Sequence, residues 1–176
     1  MRHLLLLLAL GVTSLPAEEG YYAKLHELTN GRDALTAKQR ELITKNGPLP
    51  ISEGLAGVKF GMSMQDVVQV WGKPKIIWMQ DADITQITIC NSNFTFKRDV
   101  LYEVAIHSSD LPKYSMMGGQ IQMDEACKKL IEIFPGAQSI HVDIPEIDQV
   151  ELHDELKVSV QKMENKVIAI TVSRPQ

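Results

Sequence analysis

The sequence predicts an α+β fold: two tandem repeats, each a short helix packed on an antiparallel β-meander, behind a helical N-terminal extension. Three observations carry this. The stretch "GVKFGMSMQDVVQVWGKPK" at 57–75 holds a short helix with its own start and stop signals. Period-two apolar alternation follows it, the mark of half-buried strands. A slide of 63 residues then lays a similar apolar pattern over the second half.

The chain bounds the answer first. It has 176 residues, 44% hydrophobic and 23% charged, which is ordinary globular composition. Its net charge is −4 with no basic run, so nucleic acid and anionic membrane surfaces are not expected partners. The start, "MRHLLLLLALGVTSLPAEEG", has a short basic region, an apolar core from Leu4 to Val12, and small residues up to Ala17. That core is short of the ~20 residues needed to span a bilayer. It reads as a secretory signal peptide over 1–17, cleaved after Ala17, giving a secreted or periplasmic protein. No cysteine follows the apolar core, so no lipid anchor is expected, and no later segment reaches membrane-spanning length.

Residues 18–56 form the extension and linker. The part to about residue 46 reads as helical, with Thr36 and Gln39 spaced as a capping box and Leu35, Leu42 and Ile43 on a narrow apolar face. "KNGPLPISEGLAG" at 45–57 is a linker rich in glycine and proline.

The first repeat spans 57–108. Ser63 and Asp66 form a second capping box. Met64, Val67, Val68 and Trp71 recur as one helical face. Gly72 sits where positive φ ends a helix, and Pro74 prevents continuation. A glycine-rich phosphate loop is excluded, because Gly57 and Gly61 lack the lysine–hydroxyl pair and the third glycine. Downstream, Ile87, Ile89, Phe94, Phe96, Val104 and Ile106 share one strand face, with "KRDV" as a hairpin turn. The second repeat spans 118–174. Trp71 meets Phe134, and Val67 meets Leu130. After a one-residue insertion near 154–157, Phe94 meets Val158, Val104 meets Ile168 and Ile106 meets Ile170.

These residues resemble the SmpA/OmlA module, the fold of the outer-membrane assembly lipoprotein BamE. The matching elements are Gly61-Met62-Ser63, Val67-Val68 and Gly72 with Pro74, followed by "FTFKRDVLYEVAI". Two such modules in tandem resemble the β-lactamase inhibitor protein (BLIP) architecture. The resemblance covers 57–108, and 118–174 more weakly. The second copy lacks the Gly-Met-Ser, and the chain has one cysteine per half where that architecture closes disulfides within each repeat. The resemblance implies a non-enzymatic fold whose open sheet face meets a protein; no residue of an inhibitory contact carries over.

No catalytic site emerges. His141 and His153, with Glu151, occupy second-half strands without the spacing of a metal-ligand set. Asn93-Phe94-Thr95 fits a glycosylation sequon but lies inside a strand pattern. Cys90 and Cys127 are expected on opposite sides of the sheet, hence as two free thiols. No cofactor and no metal are expected. The alternation points Trp78, Thr88, Thr95, Lys97, Leu101, Glu103 and His107 away from the helix, with His141, Glu151, His153, Ser159 and Gln161 in the second half. Of these, Trp78, Lys97, Leu101, Glu103, His107 and His153 are the candidate partner-binding residues, with Trp78 as the aromatic anchor. The function expected is an exported, non-enzymatic protein-binding module, an inhibitor or an envelope assembly factor, with an unidentified protein partner. The alternatives are a periplasmic protein binding a small ligand between sheet and extension, and an enzyme of unrecognised type.

Overall fold

The computed structural model describes residues 31–47, 49–80, 82–111, 115–116, 121–122, 126–134, 137–140, 143, 146–152, 156–164 and 166–174. The expected signal peptide, the first part of the extension, His141 and His153 lie outside the described residues.

The fold is α+β. Helix α1 (Ala37–Asn46) is followed by a two-stranded ribbon, β1 (Gly54–Leu55) and β2 (Val58–Lys59). Helix α2 (Met64–Trp71) then precedes a meander of β3 (Ile76–Met79), β4 (Ile84–Ile89), β5 (Ser92–Lys97) and β6 (Val100–His107). A second ribbon follows, β7 (Ser115–Met116) with β8 (Ile121–Gln122). Helix α3 (Ala126–Ile133) then precedes β9 (Gln138–Ile140), β10 (Ile147–Glu151), β11 (Lys157–Met163) and β12 (Lys166–Ser173). The two meanders are one sheet. Its eight strands run in the order β3-β4-β5-β6-β12-β11-β10-β9, every neighbour antiparallel, with β6 and β12 joining the halves.

Local chemistry sets the helix ends. Ser63 accepts from Asp66 N–H, and the Asp66 carboxyl accepts from Ser63 N–H, a closed capping box. Asp99, at the tip of the β5–β6 hairpin, accepts the Met64 N–H at 2.9 Å, so the hairpin also caps α2. Gly72 ends α2 at φ 96°, and a side chain there would collide with Gln39. Thr36 and Gln39 close the second expected box, at the start of α1. The extension is helical only from Ala37 among its described residues, since 31–36 are irregular.

The extension docks on the helix side of the sheet. Gly31 N–H donates to Pro74 O at 2.9 Å, Gln39 Nε2 donates to Trp71 O at 2.7 Å, and Lys75 pairs with Asp33 at 2.6 Å. Leu35, Ile43 and Ile51 enter the same core as Trp71. Trp71 is fully buried, donates its indole N–H to Ala56 O at 3.0 Å, and meets Phe94 edge-on with ring centroids 5.0 Å apart. Phe134, its expected counterpart, is only half-buried. The α1–α2 packing has no equivalent on α3 among the described residues.

One apolar row crosses nearly the whole sheet as consecutive strand partners: Ile77, Ile87, Phe94, Val104, Val172, Val158 and Val150. Leu101 corrects the strand reading. Strict alternation puts it on the outward face, yet it is 1% exposed. Thr95 pairs Glu103 while Phe96 pairs Leu101, so Tyr102 is an extra residue in β6. That bulge shifts the alternation by one and turns Leu101 into the core. β12 bulges likewise, with Gln161 pairing Ala169 and Lys162 pairing Val167. From Thr95 to Gln161 is 66 residues, two more than the sequence comparison set at this hairpin.

Candidate functional site

The face of the sheet away from the helices follows from the strand register. Its first row is Trp78, Gln86, Thr95, Glu103, Ser173, Lys157, Glu151 and Gln138. Its second is Ile76, Thr88, Asn93, Ala105, Thr171, Ser159, Gln149 and Ile140. The positions between are mainly polar, and the large apolar groups, Trp78 and Ile76 at one end and Ile140 at the other, stand at the edges.

Trp78 and Ile76 are neighbours on one side of β3 and are 63% and 52% exposed. The extension packs on the other side of the sheet, so none of its described residues covers them. Glu103 stands three strands along the row from Trp78, half-buried, and accepts from the Thr95 hydroxyl at 3.1 Å. Thr95 is 2% exposed among these neighbours. Lys97 lies half-buried at the hairpin end of β5. His107 lies half-buried at the far end of β6, its Nδ1 2.7 Å from Ser109 Oγ. Trp78, Lys97, Glu103 and His107 therefore share the outward face, Leu101 does not, and His153 lies outside the described residues.

Sequence reasoning passed over a polar cluster at the end of β6. Asp110 is 2% exposed, and its carboxyl accepts from Asn91 N–H at 2.9 Å, Asn91 Nδ2 at 2.8 Å and Ser92 Oγ at 2.7 Å. Ser92 is fully buried and also accepts the His107 N–H at 3.0 Å. The cluster ties the Cys90–Asn91 turn, where Cys90 has φ 55°, to the loop after β6. Cys90 is a free thiol, 3% exposed; burial first, then nearby Asp110, pushes its pKa from 9.0 to about 11. Serine, histidine and aspartate meet here, but the histidine contributes its backbone N–H and not its ring. For Ser92 these contacts form a structural lock with no imidazole poised as its base; the His107 ring reaches Ser109 Oγ instead.

A cleft of about 420 Å³ opens between the extension and the body. Arg32, Thr36 and Gln39 of the extension line it together with Lys73, Ile89 and Cys90 of the body. Among the described residues no group of three or more His, Cys, Asp or Glu could hold a metal ion. None of the described helices is long and apolar enough to cross a membrane.

No family model matches the chain, and no curated protein sequence matches it. Among solved structures it is similar in part to the crystal structure of a cysteine-rich secretory protein from Staphylococcus aureus. The sequence identity is 12% and the TM-score 0.41, over 65% of this chain and 44% of that one. The chain thus matches less than half of that protein's length.

Proposed function

We propose that this chain is an exported, non-enzymatic protein-binding module that meets its partner with the outward face of the sheet, as an inhibitor or an envelope assembly factor. The observation that carries this reading is the exposed pair Ile76 and Trp78 at one end of a polar surface eight strands wide. A large aromatic that stays in water while Thr95, two strands along the same row, is buried is the kind of group that anchors an interface. The signal-peptide pattern of residues 1–17 supports export. The likeness of residues 57–108 to the SmpA/OmlA module and of the tandem arrangement to BLIP supports binding over catalysis.

The same reading includes two copies of one module. Each half has a ribbon, a helix and a four-stranded meander in the same order, and each meander carries its bulge at the same distance from its last hairpin. The copies differ in cover: α1 packs on α2, and no described helix packs in the same way on α3.

The test is capture of envelope proteins by the immobilised chain, comparing wild type with Trp78→Ala and Glu103→Lys. Both variants are expected to stay folded and to lose the captured partner. Undiminished capture by both would refute this face as the site. A second reading, a small ligand held between sheet and extension, is favoured by the cleft beside Arg32 and Lys73, whose volume suits a small molecule. It predicts a thermal shift with a small ligand that an Arg32→Ala variant loses.

A further inference from the structure

The outer edge of β3 goes beyond the outward face. β3 closes one end of the sheet, and no described strand pairs with its outer side. Gln80 N–H donates to Ile84 O at 3.0 Å and Lys75 N–H to Thr88 O at 2.8 Å. Hydrogen-bonded pairs alternate along an antiparallel ladder, so Ile76 and Trp78 bond to β4. The backbone N–H and C=O groups of Ile77 and Met79 then point toward the open edge. Edge strands are ordinarily guarded by charge, proline or brevity. Ile76, Ile77, Trp78 and Met79 carry neither charge nor proline, and three of the four are at least 40% exposed. The opposite edge, β9, is three residues long and mostly polar.

We infer that the β3 edge pairs with the β3 edge of a second copy, in antiparallel register about a twofold axis at Trp78. The register follows from the groups that are free. Only residues of the same pleat can oppose each other, and only Ile77 and Met79 present bonds. With Trp78 opposite Trp78, Ile77 of each copy opposes Met79 of the other, and all four bonds close. The two tryptophans then form a non-hydrogen-bonded pair, where side chains approach most closely. No like charges oppose each other, since residues 76–80 are uncharged. The edge is thus self-complementary, as a twofold interface requires. The two sheets would join into one, and Trp78 would gain a cover.

The experiment is sedimentation velocity on the chain purified from an exporting host, from about 1 to 300 µM, a range that brackets a weak dimer. Wild type is compared with Trp78→Lys, which sets two ammonium groups opposite each other. It is also compared with Met79→Pro, which removes an edge donor that β4 does not use. The expected result is a concentration-dependent dimer, weakened at least tenfold by each variant, with circular dichroism showing both variants folded. A wild-type chain that stays monomeric throughout, or a dimer indifferent to both folded variants, would overturn the inference. A monomer whose partner capture still depends on Trp78 would overturn self-pairing and leave the proposed function standing. A dimer whose partner capture ignores Trp78 would do the reverse.

Discussion

Replacing Asp110 with alanine removes the acceptor for three hydrogen bonds at the end of β6. The cost depends on which donors can find water. Asn91 is exposed, so its side-chain amide can turn outward at little cost. The Asn91 N–H is held in the turn, and the Ser92 hydroxyl sits on a fully buried residue. Two stranded donors at about 1–3 kcal/mol each give a loss near 3 kcal/mol. For a chain of this size that is a melting-temperature drop of roughly 6–12 °C. Asp110→Asn keeps one acceptor but turns an N–H₂ toward the donors, and should lose about half as much. Ser109→Ala is the control, because among the described residues the Ser109 hydroxyl touches the exposed amide of Asn91 and the His107 ring and no buried donor. The assay is urea unfolding followed by tryptophan fluorescence, with an unchanged slope as the check on two-state behaviour. An Asp110→Ala protein within about 1 kcal/mol of wild type would show that the network contributes no net stability.

Trp71→Ala should destabilise the chain by about 3–5 kcal/mol, since it empties a fully buried site and removes the indole bond to Ala56 O; urea unfolding measures it. Native Cys90 should resist alkylation at neutral pH and react once the chain unfolds, as mass spectrometry of iodoacetamide-treated protein would show. Its thiol pKa is raised by folding, so its contribution is complete below pH 9 and is lost as pH rises from about 9 through 11; Cys90→Ser should flatten that decline in an alkaline unfolding series. Three aspartates shift the other way: the Lys75 partner lowers Asp33, Ser63 lowers Asp66 and Arg98 lowers Asp83. Their contribution is present above the ordinary carboxyl value of 3.8 and fades below it, so an acid titration should show stability falling there, less steeply at high salt.

The parts of the fold that were legible in the sequence are those decided within a few residues. Both capping boxes join residues three apart, and the Gly72 stop needs only its own φ, so the ends of α2 could be read directly. The inward phase of β4 and β5 followed from strict alternation, and the exposure of Trp78 followed from that of β3. The bulge in β6 left a signal that alternation alone overlooks. Leu101 and Val104 are three apart, an odd spacing for two residues on one strand face, and Tyr102 is the residue that absorbs it. Asp110 left none, because "HSSDL" looks like any polar turn and its partners lie 18 and 19 residues earlier.

The joining of the halves through β6 and β12 was also beyond local pattern. A strand with one apolar face alternates in the same way whichever neighbour it takes. That join has a consequence for the site. Two separate modules would each present a four-stranded outward face, and Glu103 and Glu151 would belong to different surfaces. In the continuous sheet they lie in one row, with Ser173 and Lys157 between them and Trp78 at its end. A partner that engages Trp78 along this row therefore reaches strands of both halves. Substitutions in either half should then weaken the same contact, and their effects should couple where the residues are neighbours in the row.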